Sequence, residues 1–209
     1  MMFKWRTIAD HFKQMNPYIA FGFILFFAGM IIGGTNPAFQ SFLNNQMEGL
    51  EQLSNFIEQS ENPVLMSIIV IFLNNAVKSI FVMYLGALFG ILPFFFLVVN
   101  GMVVGYLLQR VAEVHGGGYV FELVVKGLLP HGILEIPAII IACAYGMRFG
   151  VLAFKGLGSL IFARSKTAGV GRELETFVIR TVPVMVILTI SLLIASLIES
   201  TITTWLLKM

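Results

Sequence analysis

Cysteine is almost missing: Cys143 is the only one in 209 residues. No intrachain disulfide can form, and the cysteine-rich zinc frameworks are excluded. Charge is scarce as well. Asp, Glu, Lys and Arg make up 11% of the chain, against about 25% in an ordinary soluble domain. The net charge is only +2, too small to suggest a nucleic-acid partner. Familiar catalytic signatures are also missing: the sequence has no His-Glu-x-x-His, no Gly-x-Ser-x-Gly and no Gly-rich phosphate loop.

Hydrophobic residues are plentiful, at 58%, and mean hydropathy is +0.91. Each membrane crossing takes roughly 20 apolar residues, so the chain has room for five or six spans and no sizeable soluble domain. The sequence predicts an all-α, polytopic transmembrane helical bundle that forms a single integral membrane domain over residues 1–209. Five spans are expected, near residues 17–32, 64–85, 94–108, 131–145 and 177–197. A re-entrant or interfacial helix is expected over 119–129, broken at Pro130, because this apolar stretch is too short to span and carries Glu122 and Lys126.

Basic residues set the expected orientation. Lys4, Arg6 and Lys13 precede the first span, and Arg148, Lys155, Arg164, Lys166 and Arg172 fall within 146–176. The positive-inside bias makes 146–176 a basic cytoplasmic loop and the amino terminus cytoplasmic, in a multi-pass membrane protein. Residues 38–62 then lie outside. They carry Glu48, Glu51, Glu58 and Glu61 without Lys or Arg, while Phe39, Phe42, Leu43, Met47, Leu50, Leu53 and Ile57 recur at helical spacing. This predicts an outer amphipathic helix. Its apolar stripe, with Leu50 and Leu53 at the centre, serves either to dock an extracytoplasmic partner or to pack on the bundle and membrane lipid.

The main polar feature is Pro130-His131-Gly132-Ile133-Leu134-Glu135-Ile136-Pro137. Ionisable groups at membrane depth pair, bind ions or face a protein interior. Positions four apart share a helix face, so His131 and Glu135 can converge on a divalent metal such as zinc. They can also act as a buried hydrogen-bonded clamp with Asn74, Asn75 or Asn100 that locks the packing of spans two, three and four, or line a proton or solute path. A metal would need a third ligand, for which Glu113, His115, Glu122, Asn100 and a residue of a second subunit are the candidates. Lys78 either joins this polar core or snorkels to the interface. Gly101 and Gly105 form a small-xxx-small pair that admits a close helix neighbour, and self-association through spans three and four is expected.

Four blocks carry a resemblance: Phe72-Leu73-Asn74-Asn75-Ala76-Val77-Lys78-Ser79, Leu85-Gly86-Ala87-Leu88-Phe89-Gly90, Val99-Asn100-Gly101 with Gly105, and Leu129-Pro130-His131-Gly132-Ile133-Leu134-Glu135-Ile136-Pro137-Ala138. Together they resemble the stage II sporulation protein M family. The resemblance implies a non-catalytic scaffold of the bacterial cytoplasmic membrane, at the sporulation septum and acting in engulfment. It would recruit extracytoplasmic peptidoglycan hydrolases, so that the chemistry of wall remodelling belongs to the partners. The family also occurs in bacteria and archaea that make no spores. The rival reading is an intramembrane metal-dependent hydrolase using the His131/Glu135 pair.

Overall fold

The computed structural model describes residues 5–88, 90–162 and 167–209. Lys4, Arg164 and Lys166, three of the basic residues used to orient the chain, lie outside them. The described residues are helical and contain no strand. Five helices are long and apolar enough to cross a membrane: Ile8–Thr35, Pro63–Leu85, Ile91–His115, Gly117–Phe162 and Thr167–Leu206. The protein is an all-α polytopic bundle whose outward faces keep large apolar side chains such as Phe27, Ile31, Phe81, Phe95 and Ile190 exposed. Water would penalise such a surface; lipid does not.

Helix α1 (Trp5–Thr35) packs along α4 (Ile91–His115). Each helix contributes two glycines spaced four apart. A Cβ on Gly29 or Gly33 would strike the carbonyls of Val98 and Met102, and one on Gly101 or Gly105 would strike those of Phe26 and Met30. Removing the side chain at all four positions lets the two backbones touch, the packing that apolar helices use where no hydrophobic force draws them together. The Gly101/Gly105 stripe expected to mediate self-association is therefore covered by α1 of the same chain.

Helix α3 (Pro63–Leu85) starts at Pro63, with the Asn62 side chain accepting from the Leu65 amide at 3.1 Å. Proline suits the first helical position because an amide there has no partner within the helix. Helix α6 (Leu129–Phe162) lies centrally, against α1, α3, α4 and α7 (Thr167–Ile198). Its segment around Ala138, Ile140, Ala142, Cys143, Ala144 and Tyr145 forms the core. Helices α3 and α7 run antiparallel: Ser67 meets Ser200 at 2.9 Å near one end, and Tyr84 meets Thr181 at 3.2 Å toward the other.

Three expectations are corrected. The chain does not break at Pro130. A short helix α5 (Gly117–Glu122) passes through a π-turn (Leu123–Leu128) straight into α6, giving one 46-residue helix. Proline cannot donate the usual helical hydrogen bond and its ring crowds the preceding turn; the wider π-turn just ahead of Pro130 accommodates both defects. Residues 146–176 are mostly helix rather than loop, because α6 reaches Phe162 and α7 begins at Thr167. The fifth span does not stop at 197: a second π-turn (Glu199–Thr203) carries it into α8 (Thr204–Leu206).

Candidate functional site

The expected amphipathic helix is present as α2 (Gln40–Glu58), entered through a 3-10 turn at Pro37–Phe39. Its two halves are held differently. In the first half Leu43 is fully buried against Met102 and Tyr106 of α4, and the Tyr106 hydroxyl donates to Asn44 Oδ1 at 2.6 Å. In the second half Leu50, Leu53, Ser54 and Ile57 line a cavity of about 750 Å³. The α3 wall supplies Ser67, Ile71, Asn74 and Asn75; α6 supplies His131 and Glu135; the second π-turn supplies Glu199, Ser200 and Thr203.

His131, Glu135 and Glu199 each offer one donor atom, and these atoms lie within 4.8 Å of one another. All three side chains are half-buried. Two neighbours stand beside the cluster: Thr203 Oγ1 lies 3.3 Å from His131 Nδ1, and Asn75 lines the same wall next to the Glu135 carboxylate. Asn74 Nδ2 donates to Asn75 Oδ1 at 3.3 Å, which leaves the Asn75 amide hydrogens for Glu135. With Nδ1–H donating to Thr203, the His131 Nε2 lone pair is free for an acid or a metal.

The two carboxylates need an explanation. If both are ionised at the 4.8 Å limit, they repel by about 3.5 kcal/mol at an effective dielectric of 20. Among the described residues the ion pairs are Lys126–Glu122 at 2.6 Å and Arg148–Glu173 at 2.8 Å, and neither belongs to this cluster. Lys208 and Glu58 also line the cavity, one charge of each sign.

The expected polar core separates into two groups. Asn74, Asn75, His131 and Glu135 come together in the cavity wall. Asn100 instead turns back on its own helix, donating to the Phe96 carbonyl at 2.7 Å, and Lys78 is exposed on α3. Of the candidate third ligands, Glu113 accepts from Gln109 at 3.0 Å, His115 lies on the Tyr119 ring and Glu122 pairs with Lys126. The residue that does join His131 and Glu135 is Glu199, which lies past the expected end of the last span. Its signal was present in outline: the five-span alternation returns Glu199 to the level where the helix of His131 enters the membrane, and Ser200, Thr201, Thr203 and Thr204 follow it.

A family model described as stage II sporulation protein M matches residues 19–204. The chain belongs to that family. The match includes α2, both asparagines and the whole His131, Glu135, Glu199 and Thr203 group, so most of the cavity, all but Leu207 and Lys208, falls within the stage II sporulation protein M region. Among curated proteins, the chain is 26% identical over 126 residues to an uncharacterized protein of Methanocaldococcus jannaschii, covering 60% of this chain and 52% of the relative. The chain thus spans about half the length of that relative. No solved structure matches. Family and fold together make this a sporulation-related membrane protein.

Proposed function

We propose that the protein is a non-catalytic membrane scaffold of a septal peptidoglycan-remodelling complex, acting in engulfment and recruiting extracytoplasmic wall hydrolases through α2. The observation that carries this reading is the state of α2 itself. Its first half is pinned to α4, yet Phe39, Phe42, Leu50 and Phe56 stay 40–58% exposed beside Glu48, Glu51 and Glu58. Apolar residues set among carboxylates on a largely exposed helix suit a protein partner better than an anionic lipid surface. Arg148, Arg172 and Arg180 gather with His11 around a separate cavity of about 520 Å³ at the far end of the bundle. The positive-inside bias assigns that end to the cytoplasm and α2 to the outside.

Leu53 is half-buried in the cavity roof and Leu50 also lines the cavity, so the outward pair for a test is Phe42 and Phe56. A photo-crosslinker at Phe56 should capture a wall amidase or transglycosylase in cells. Phe42→Asp with Phe56→Asp should disperse that enzyme from the septum while the protein still inserts. Unchanged localisation of the enzyme around a correctly inserted double variant would overturn the scaffold reading.

A further inference from the structure

We propose that His131, Glu135 and Glu199 bind one divalent transition-metal ion of the zinc or manganese kind in the wall of the α2-roofed cavity. This goes beyond the scaffold reading and does not depend on it.

The donor set comes first. One imidazole and two carboxylates suit borderline first-row ions, whereas calcium takes six to eight oxygens and magnesium keeps most of its waters. The spacing fits. Donors sharing a tetrahedral ion at about 2.0–2.2 Å stand roughly 3.4 Å apart, and these atoms already lie within 4.8 Å. Closing the site brings the donor atoms together by at most about 1.4 Å.

The surroundings are those of a ligand set. Metal-bound histidines pass their other ring nitrogen to a hydrogen-bond partner, and metal-bound carboxylates are themselves hydrogen-bonded. Thr203 stands in the first role and Asn75 in the second. The backbone points the same way. Glu199 and Thr203 are the first and last residues of one π-turn, and the other π-turn ends three residues before His131. The two π-turns touch, and Leu207 approaches Gly127 beside them. Such turns re-aim side chains out of the ordinary helical register and recur at functional sites. An ion held here ties α6 to the end of α7. Three protein donors leave at least one coordination position for water or a ligand oxygen, which faces the cavity.

The test uses the full chain purified in detergent, stripped with a chelator, re-equilibrated with zinc or manganese chloride and separated from free ion before elemental analysis. Wild type should hold one ion per chain, with magnesium unable to displace it. Glu199→Gln and His131→Gln should hold less than about a tenth as much, and Asn75→Ala should bind about 10–100-fold more weakly. Glu58→Gln, at the cavity edge, should match wild type. Monodisperse elution checks the fold of each variant, and where Glu199→Gln aggregates, the Asn75→Ala titration decides. If wild type takes up neither ion, or if Glu199→Gln and Asn75→Ala retain it equally, the cluster attracts an adventitious ion only and the proposal fails.

Discussion

Glu199→Gln should reverse its effect on stability depending on whether metal is present. The substitution keeps shape and removes one negative charge. In metal-stripped protein it relieves the repulsion between Glu135 and Glu199, whose donor oxygens lie within 4.8 Å. Coulomb's law at 4.8 Å and an effective dielectric of 20 gives about 3.5 kcal/mol for the fully ionised pair, and a proton shared by the two carboxylates reduces that relief. The stripped variant should therefore be more stable than stripped wild type. Metal reverses the order: an ion at a thousand times its Kd adds about 4.1 kcal/mol to a protein that binds it only when folded, and wild type alone collects this gain. Trp205, two residues past Thr203 and 58% exposed, is a local reporter in a Trp5→Phe background. Denaturant unfolding followed by its fluorescence, with chelator and then with zinc, should show the two curves exchange order. The same order in both conditions would refute the proposal that these carboxylates share an ion.

Two further outcomes follow from the packing. Gly105→Ala places a methyl group against the Met30 carbonyl and Gly33→Ala places one against that of Met102, so each should cost about 1–3 kcal/mol by overpacking. Gly49→Ala in α2, where nothing lies within 4 Å, should instead gain about 0.5–1 kcal/mol from helix propensity; unfolding midpoints in detergent check the contrast, and equal effects would refute the α1–α4 crossing. Tyr106→Phe removes the 2.6 Å hydrogen bond to Asn44, worth about 0.5–1.5 kcal/mol, and should speed hydrogen exchange in α2 while the core of α6 stays protected.

The five spans and α2 were legible because hydropathy and helical periodicity are local properties of the chain. So was the grouping of His131 and Glu135 with Asn74 and Asn75, since an expensive polar pair in lipid must face other polar groups. What escaped depends on tertiary context. Pro130 reads as a break unless a π-turn precedes it, and nothing within 123–128 announces a wider turn. The 146–176 segment reads as a loop because its charge is high, yet helices continue past the hydrocarbon as long as their ends stay solvated. Asn100 and Lys78 carry the same polarity as Asn74 and Asn75. Only helix rotation decides that Asn100 satisfies itself on Phe96 while Asn75 meets Glu135. Gly101 and Gly105 advertise a close neighbour without naming it, and the neighbour is α1.

The cavity bears on the choice between scaffold and hydrolase, because α2 presents a different face to each. Leu53 and Ile57 look into the roofed space above the His131, Glu135 and Glu199 cluster, while Phe42 and Phe56 look away from the cavity. A scaffold requires the outward face and needs nothing from the cavity beyond a stable floor, a part that an ion joining α6 to α7 would fill. A hydrolase requires the inward face, where Leu53 would contact substrate and the open metal position would hold the attacking water. Substitutions on the two faces therefore separate the readings: loss of function on changing Phe56 alone supports recruitment, and loss on changing Leu53 alone supports chemistry. The pinning of α2 by Leu43 and Asn44, about two and a half to three and a half turns before Leu53 and Phe56, is what keeps the two faces distinct.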